Sequence, residues 1–368
     1  MKTKKLCIIM LIVVFSLTVN FSYAFAVAES NNYSIDIPYN FPLTPDDEEW
    51  KNIQTKAEAL SYCQIPDNIL KNMTTEALLE TVLNYPFITD YFAYNNYLEA
   101  ADVFIKDFNG FKELVDRQNI TEVLLDAYEM AELTSDNIIF NADLENVDGN
   151  DFFKVSTIEF LIAYDQLENG NYSSIEAERF EDIFLQKTQE REENSLYSSA
   201  SDTYLNFMVQ ENPIKTKAAE NSQTTTVKTP KGTSITAYIY SPDFSSSEKS
   251  SINSTYDKAY PSAQRQRSAT VKYNCHSYAW YSQATTNKYW IPNASKYTTD
   301  GSYSRYSASL MPSVGMKVYY GSGAHSAIVN NALSATNLKF ISKWGQAGLY
   351  IHDRYFSPYD ATTLAYYR

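Results

Sequence analysis

What most constrains this chain is a change of character near residue 215. The full sequence holds 30 basic and 44 acidic residues, but from residue 215 onward there are 17 lysines and arginines against 7 acidic residues, a net of +10. Residues 1–214 therefore hold 13 basic and 37 acidic residues, and setting aside Lys2, Lys4 and Lys5 leaves a net of −27. Two parts so differently charged must present different surfaces, and a chain of 368 residues is long enough for two domains.

The acidic part, residues 29–210, reads as an all-α domain. Thr44-Pro45-Asp46-Asp47-Glu48 supplies an N-cap, a proline at the first helical position and early acidic residues, with Trp50, Ile53, Ala57 and Leu60 following on one stripe. Leu78, Leu79, Val82 and Leu83 form a second stripe between Thr74 and Pro86. The same periodicity predicts helices over 98–108, 111–115, 123–133, 152–167 and 175–189. Ser173-Ser174-Ile175-Glu176 is a capping box, and Asn109-Gly110 reads as a helix stop. No repeat period emerges, so the expectation is an irregular bundle whose carboxylates form a solvated face. Residues 211–232, polar and lysine-bearing with no apolar stripe, read as a linker open to proteolysis. Beyond it, Ile235 to Tyr240 reads as a strand, and the serine-rich stretch over 245–254 leads to a short helix before Tyr260-Pro261.

The N-terminus points to export. Lys2, Lys4 and Lys5 precede an apolar run from Leu6 to Leu17, and Ala24-Phe25-Ala26 and Ala26-Val27-Ala28 both fit the small-x-small cleavage rule. Residues 1–28 are thus expected to be a signal peptide. No later stretch approaches eighteen apolar residues, so no membrane span is expected after its removal. The expected location is extracellular, with any retention at the wall non-covalent, since no Leu-Pro-x-Thr-Gly motif closes the chain.

Chemistry concentrates in residues 233–368. Tyr273-Asn274-Cys275-His276-Ser277-Tyr278-Ala279-Trp280 places a cysteine after strand-like Val271 and Tyr273, with Tyr278, Ala279 and Ser282 returning at helical spacing. Asn274 is positioned as N-cap, so Cys275 falls in a first turn, where free backbone N–H groups favour a thiolate and the Cys275 amide can receive an oxyanion. Fifty residues on, Val318-Tyr319-Tyr320, a Gly-Ser-Gly turn and His325-Ser326-Ala327-Ile328-Val329 read as two strands joined tightly, with His325 opening the second. A thiol and an imidazole in this order suggest a cysteine hydrolase. The plainer reading is a buried cysteine packed as a small hydrophobe and a histidine ending a hairpin.

These two segments resemble the motifs of the CHAP family, the cysteine, histidine-dependent amidohydrolases and peptidases of the papain-like superfamily. Cys275, Tyr278, Ala279 and Trp280 are similar to its Cys-x-x-Tyr-x-x motif, and Ala324 to Val329 to its Gly-His-Val-Ala-Val-Val. The resemblance covers roughly residues 230–368 and implies an α+β fold: a papain-like C-terminal domain preceded here by the all-α domain. It also implies Cys275 as nucleophile, His325 as base, a polar orienting residue on the next strand, and peptidoglycan peptides as substrate. The third position departs from the family, which has Glu, Asn or Gln there. Ser342, at the end of the strand expected over 338–342, is the nearest polar candidate; His352, beside Asp353, is the alternative, and Lys343 would repel an imidazolium.

His276 points about 100° away from Cys275 around a helix and is not the expected base. With one cysteine in this part and no His-x-x-His or Cys-x-x-Cys spacing, neither a metal nor a cofactor is expected, and no nucleic-acid partner is. Cys63 reads as a buried helix residue and Cys275 as a free thiol. Tyr281, Tyr289, Trp290, Tyr297 and Tyr303 either line a glycan or peptide groove or pack in a core. Three functions stay open: a secreted hydrolase of cell-wall amide bonds, an exported protease or acyltransferase acting on proteins, and an inactive papain-like binding protein. The charge split leaves two arrangements open: the acidic domain docked over the basic one and covering its groove, or two tethered but independent domains, the default for domains in one chain.

Overall fold

The computed structural model describes residues 34–95, 97–133, 150–170, 172–193, 222–307, 311–321, 323–334 and 337–368. The expected signal peptide and residues 211–221 of the expected linker lie outside the described residues. Secondary structure is mixed α and β. Over 34–193 the described residues form helices and a single isolated bridge, Ile35 to Met73. The helices are α1 (Lys56–Tyr62), α2 (Asp67–Leu70), α3 (Thr75–Leu83), α4 (Tyr97–Asp107), α5 (Asn109–Val115), α6 (Ile120–Met130), α7 (Asn150–Asn169) and α8 (Ser174–Glu193).

Local signals account for several of these ends. The Thr74 hydroxyl accepts from Ala77 N, capping α3, whose Leu78, Leu79 and Val82 are buried. Ser173 and Glu176 exchange the two bonds of a capping box at the start of α8. Two expectations fail. The helix foreseen from Pro45 to Leu60 breaks into a 3₁₀ turn (Glu48–Asn52) and α1, and Ala59, not Ala57, faces the core. Asn109-Gly110 opens α5 instead of ending α4, because the Asn109 side chain accepts from Ile65 N and donates to Ile65 O, and a Cβ at position 110 would collide with Phe108 and Ile65.

The remaining strands are β1 (Ser222–Lys228), β2 (Ser234–Tyr240), β3 (Gln264–Arg267), β4 (Arg305–Tyr306), β5 (Lys317–Tyr320), β6 (Ser326–Ala332), β7 (Leu338–Lys343), β8 (Leu349–Asp353) and β9 (Leu364–Tyr367). β1 and β2 form an antiparallel hairpin, so residues 222–228, assigned to a linker for their polarity, are a strand. Their backbone groups pair with the strand foreseen over 235–240, which polar composition alone does not forbid. The other seven strands form one antiparallel sheet in the order β3-β8-β7-β6-β5-β9-β4, placing β6 at its centre. The helix Ser246–Ala259 starts with the Ser245/Glu248 capping box.

The change in charge does not interrupt the packing. One core runs from Trp50, Phe87 and Phe92 through Phe244, Tyr256 and Tyr260 to Trp344, Tyr350 and Phe356, and Ser34–Arg368 forms one unit. Trp50 Nε1 donates to Ala259 O at 3.1 Å across the composition boundary. Aromatic rings from both parts bury one another there, and net charge, carried on the surface, has no bearing on that burial. Among the described residues no helix is long and apolar enough to cross a membrane.

Candidate active site

Val271 and Tyr273 do not form the strand expected to lead into Cys275. The chain leaves β3 at Arg267 and is held in a bend, with Thr270 N donating to Gln346 O and Val271 N to Asp243 Oδ1. Asn274 is the N-cap that the sequence indicated: its Oδ1 accepts from Ser277 N at 3.1 Å. It does more than cap. Oδ1 also accepts from Ile291 N at 3.1 Å, while Nδ2 donates to Ile291 O at 2.7 Å and Asn95 Oδ1 at 2.9 Å. Cys275 and His276 begin a helical turn that widens into a π-turn over Ser277–Tyr281, closed by Ser282 N to Ser277 O. Such widened turns are common at functional sites.

The turn rests on the middle of the sheet. Ser326, the first residue of β6, is fully buried, and its hydroxyl meets His276 Nδ1 at 2.9 Å and accepts from Trp280 Nε1 at 2.8 Å. The backbone N–H groups of Ser326 and His276 face the Cys275 sulfur. Cys275 and His325 are therefore in one neighbourhood, since His325 directly precedes Ser326, and His325 O accepts from Tyr320 N in the β5–β6 hairpin. No hydrogen bond joins them. Both imidazole nitrogens of His325 lack a partner among the described residues; the ring stacks on Tyr359 at 3.4 Å between centroids and meets the Tyr320 ring edge-on at 4.8 Å.

Neither group lies at the mouth of a cleft: Cys275 is 0% and His325 1% exposed. Burial pushes the Cys275 thiol up to about 11, against the smaller opposing effect of the Asn95 amide, and burial likewise holds His325 far below the ordinary imidazole range. The ion pair of a thiolate and an imidazolium expected from the motif is thus replaced by a protonated thiol and a neutral ring. The expected first turn is present, but its positive end does not outweigh the loss of solvent around sulfur.

The two candidates for the third position are bound to each other, not to His325. Ser342, on β7, meets His352 Nε2 on β8 at 2.9 Å and accepts from Trp344 Nε1 at 3.1 Å. His352 Nδ1 lies 3.0 Å from Asp353 O, which can only accept, so the proton is on Nδ1 and Nε2 accepts from the Ser342 hydroxyl. In the β7–β8 register Ser342 pairs with Tyr350 and Phe340 with His352, which makes Ser342 and His352 diagonal neighbours on one face. Lys343 is buried and donates to the carbonyls of Thr270, in the loop before Cys275, and of Gly345 and Ala347, in the turn between β7 and β8, and burial brings it down to about 7.

Asn95 was not foreseen. Its Nδ2 donates to Ala324 O at 3.0 Å and lies 3.6 Å from Cys275 Sγ, while Asn274 holds its Oδ1. Nothing in the local sequence marks it, because its partners stand 179 to 229 residues further along the chain. Tyr359, which covers the His325 ring, was equally unmarked. Of the aromatic groove candidates, Tyr297 and Trp290 are buried, Tyr297 packing with Trp280 and Tyr303; Tyr281 is exposed and Tyr289 half-buried, the two in edge contact. Cys63 and Cys275 are both free and buried. No cluster of three metal-ligating side chains occurs among the described residues.

No protein-family model, curated protein or solved structure matches this chain. The likeness to CHAP enzymes rests on the two short motifs alone.

Proposed function

We propose that this protein is a secreted cysteine hydrolase that cleaves amide bonds in cell-wall peptides, built on a papain-like C-terminal frame with Cys275 as nucleophile and His325 as general base and acid. The observation that carries this reading is the placement of Cys275 in the first turn of a capped helix, its sulfur against the backbone N–H of the residue that follows His325. From the neutral pair, His325 takes the thiol proton as sulfur attacks the amide carbon. It returns that proton to the leaving amine, and water then releases the acid from the thioester. The Cys275 amide is assigned to the oxyanion. Export follows from the basic, apolar and small-x-small pattern of residues 1–28. The surplus of ten positive charges from residue 215 onward favours an anionic wall polymer, an attraction that salt weakens.

Digestion of purified wall fragments, with the products identified by mass, tests the reading. Wild-type protein is expected to release peptide fragments and Cys275→Ala to release none; equal release by both removes nucleophilic catalysis at this residue. Exported proteins offered as alternative substrates separate wall cleavage from proteolysis or acyl transfer. A second reading, a non-catalytic papain-like shell that binds a wall fragment, draws on the missing bond between Cys275 and His325 and the raised thiol pKa. It predicts binding of fragments without turnover, unchanged by Cys275→Ala.

A further inference from the structure

The segment Thr89–Asn95 crosses from the helical part to the cysteine and is fastened at nearly every residue. Thr89 O accepts from Tyr256 OH, Asp90 Oδ2 from Tyr260 OH, Phe92 O from Gln346 N at 2.7 Å, and Ala93 O from Tyr359 OH at 2.6 Å. The Tyr94 hydroxyl donates to Pro358 O at 2.7 Å, and Asn95 ends the run at Ala324 O and Cys275 Sγ. Ile88–Ala93 is a 3₁₀ helix, and the chain becomes extended only at Tyr94, with φ −90° and ψ 157°. Gly345 is the complement of this strap: a Cβ there would strike Phe92 O and the Ala93 carbonyl. Main-chain carbonyls at the end of the 3₁₀ turn taken by Gln346 N and a tyrosine hydroxyl, a glycine floor, and a chain that leaves the turn at Tyr94 to end at sulfur are what a bound peptide would present.

We infer that Phe92–Asn95 is a built-in occupant of a peptide-binding strip, which keeps the site closed and, once displaced, leaves the strip to a peptide from outside. This deepens the hydrolase reading and rests on it for the use of the strip, although occupancy itself does not require turnover. Closure accounts for a thiol and an imidazole that are both shut off from solvent although neither is joined to the other. It also accounts for the Asn95 amide, whose Oδ1 is pinned by Asn274 so that Nδ2 faces sulfur.

Cys275 alkylation by iodoacetamide, located by peptide mass, reads the strap directly in the full chain. In Asn95→Ala/Tyr94→Phe, which lacks four side-chain bonds of the strap, alkylation is expected to rise roughly tenfold or more, each lost bond shifting the closed population several-fold. Gly345→Asn, tolerant of the positive φ of 47° but sterically incompatible with Phe92 O, is expected to act the same way without touching the strap sequence. A capped hexapeptide of the sequence Asp-Tyr-Phe-Ala-Tyr-Asn, added to either variant, is expected to restore protection. Unchanged alkylation in variants that keep the wild-type near-ultraviolet circular dichroism overturns the inference, as does faster alkylation that the peptide does not slow. Faster alkylation with peptide protection but no amide cleavage upholds the strap and removes the hydrolase reading.

Discussion

His276 and His352 are neutral imidazoles buried to 1% and 0% exposure, and burial lowers both from 6.5 to about 4. The unfolded chain therefore takes up protons first as pH falls, and stability is lost between about pH 6.5 and pH 4, at up to about 1.4 kcal/mol per pH unit for each ring. Above pH 6.5 both states are neutral and this contribution is flat. Urea unfolding across pH 4 to 8 is expected to show that slope, and His352→Gln to make it shallower; a slope unchanged by the substitution would rule out this residue as a source. That the rings are buried could not be read locally. A histidine beside a cysteine and one beside an aspartate carry the same local signal whether solvent or Trp344 lies above them.

At the scale of elements, the turn bearing Cys275 depends on Asn274 more than capping requires. Its side chain makes four bonds, two accepted and two donated, to Ser277, Ile291 and Asn95. Asn274→Ala is expected to destabilise the protein by about 2–4 kcal/mol, since a cap is lost and buried groups are left unpaired. Asn274→Asp keeps the two accepted bonds, loses the two donated ones and is expected to cost less; equal losses in chemical denaturation would show that the cap is not the main contribution. The cap was legible because it acts within three residues. The bonds to Ile291 and Asn95 were not, because they depend on how distant segments meet. Likewise β7 and its polar end at Ser342 were legible from alternation, whereas its partner, His352 and not His325, was set by the β7–β8 register.

The whole molecule is joined where its composition suggested a division. Lys56 Nζ meets Asp90 Oδ2 at 2.5 Å and Tyr260 OH at 2.6 Å, which links α1, the start of the strap and the end of the helix Ser246–Ala259. Removing one member of such a buried pair leaves the other uncompensated. Asp90→Ala is expected to cost about 3–5 kcal/mol and to lower the transitions of both parts together. Far-ultraviolet circular dichroism, dominated by the helices, and tryptophan fluorescence, which includes Trp280, Trp290 and Trp344 of the sheet region, should follow coincident unfolding curves. Separate curves would show that the shared core does not couple the two parts.

Sequence alone determined what depends on near neighbours: the helical character of 34–193, the caps at Ser173 and Asn274, the strands β2, β5 and β7, and the conjunction of a cysteine turn with a histidine at the start of a strand. These are decided within a few residues by hydrogen bonds to adjacent backbone and by the period at which apolar side chains recur. Tertiary structure alone decided that the acidic and basic parts share a core, that Asn95 reaches the sulfur, and that the thiol is protonated and enclosed. Each of those depends on which distant surfaces exclude water from one another, and a pattern of local spacing does not carry that information.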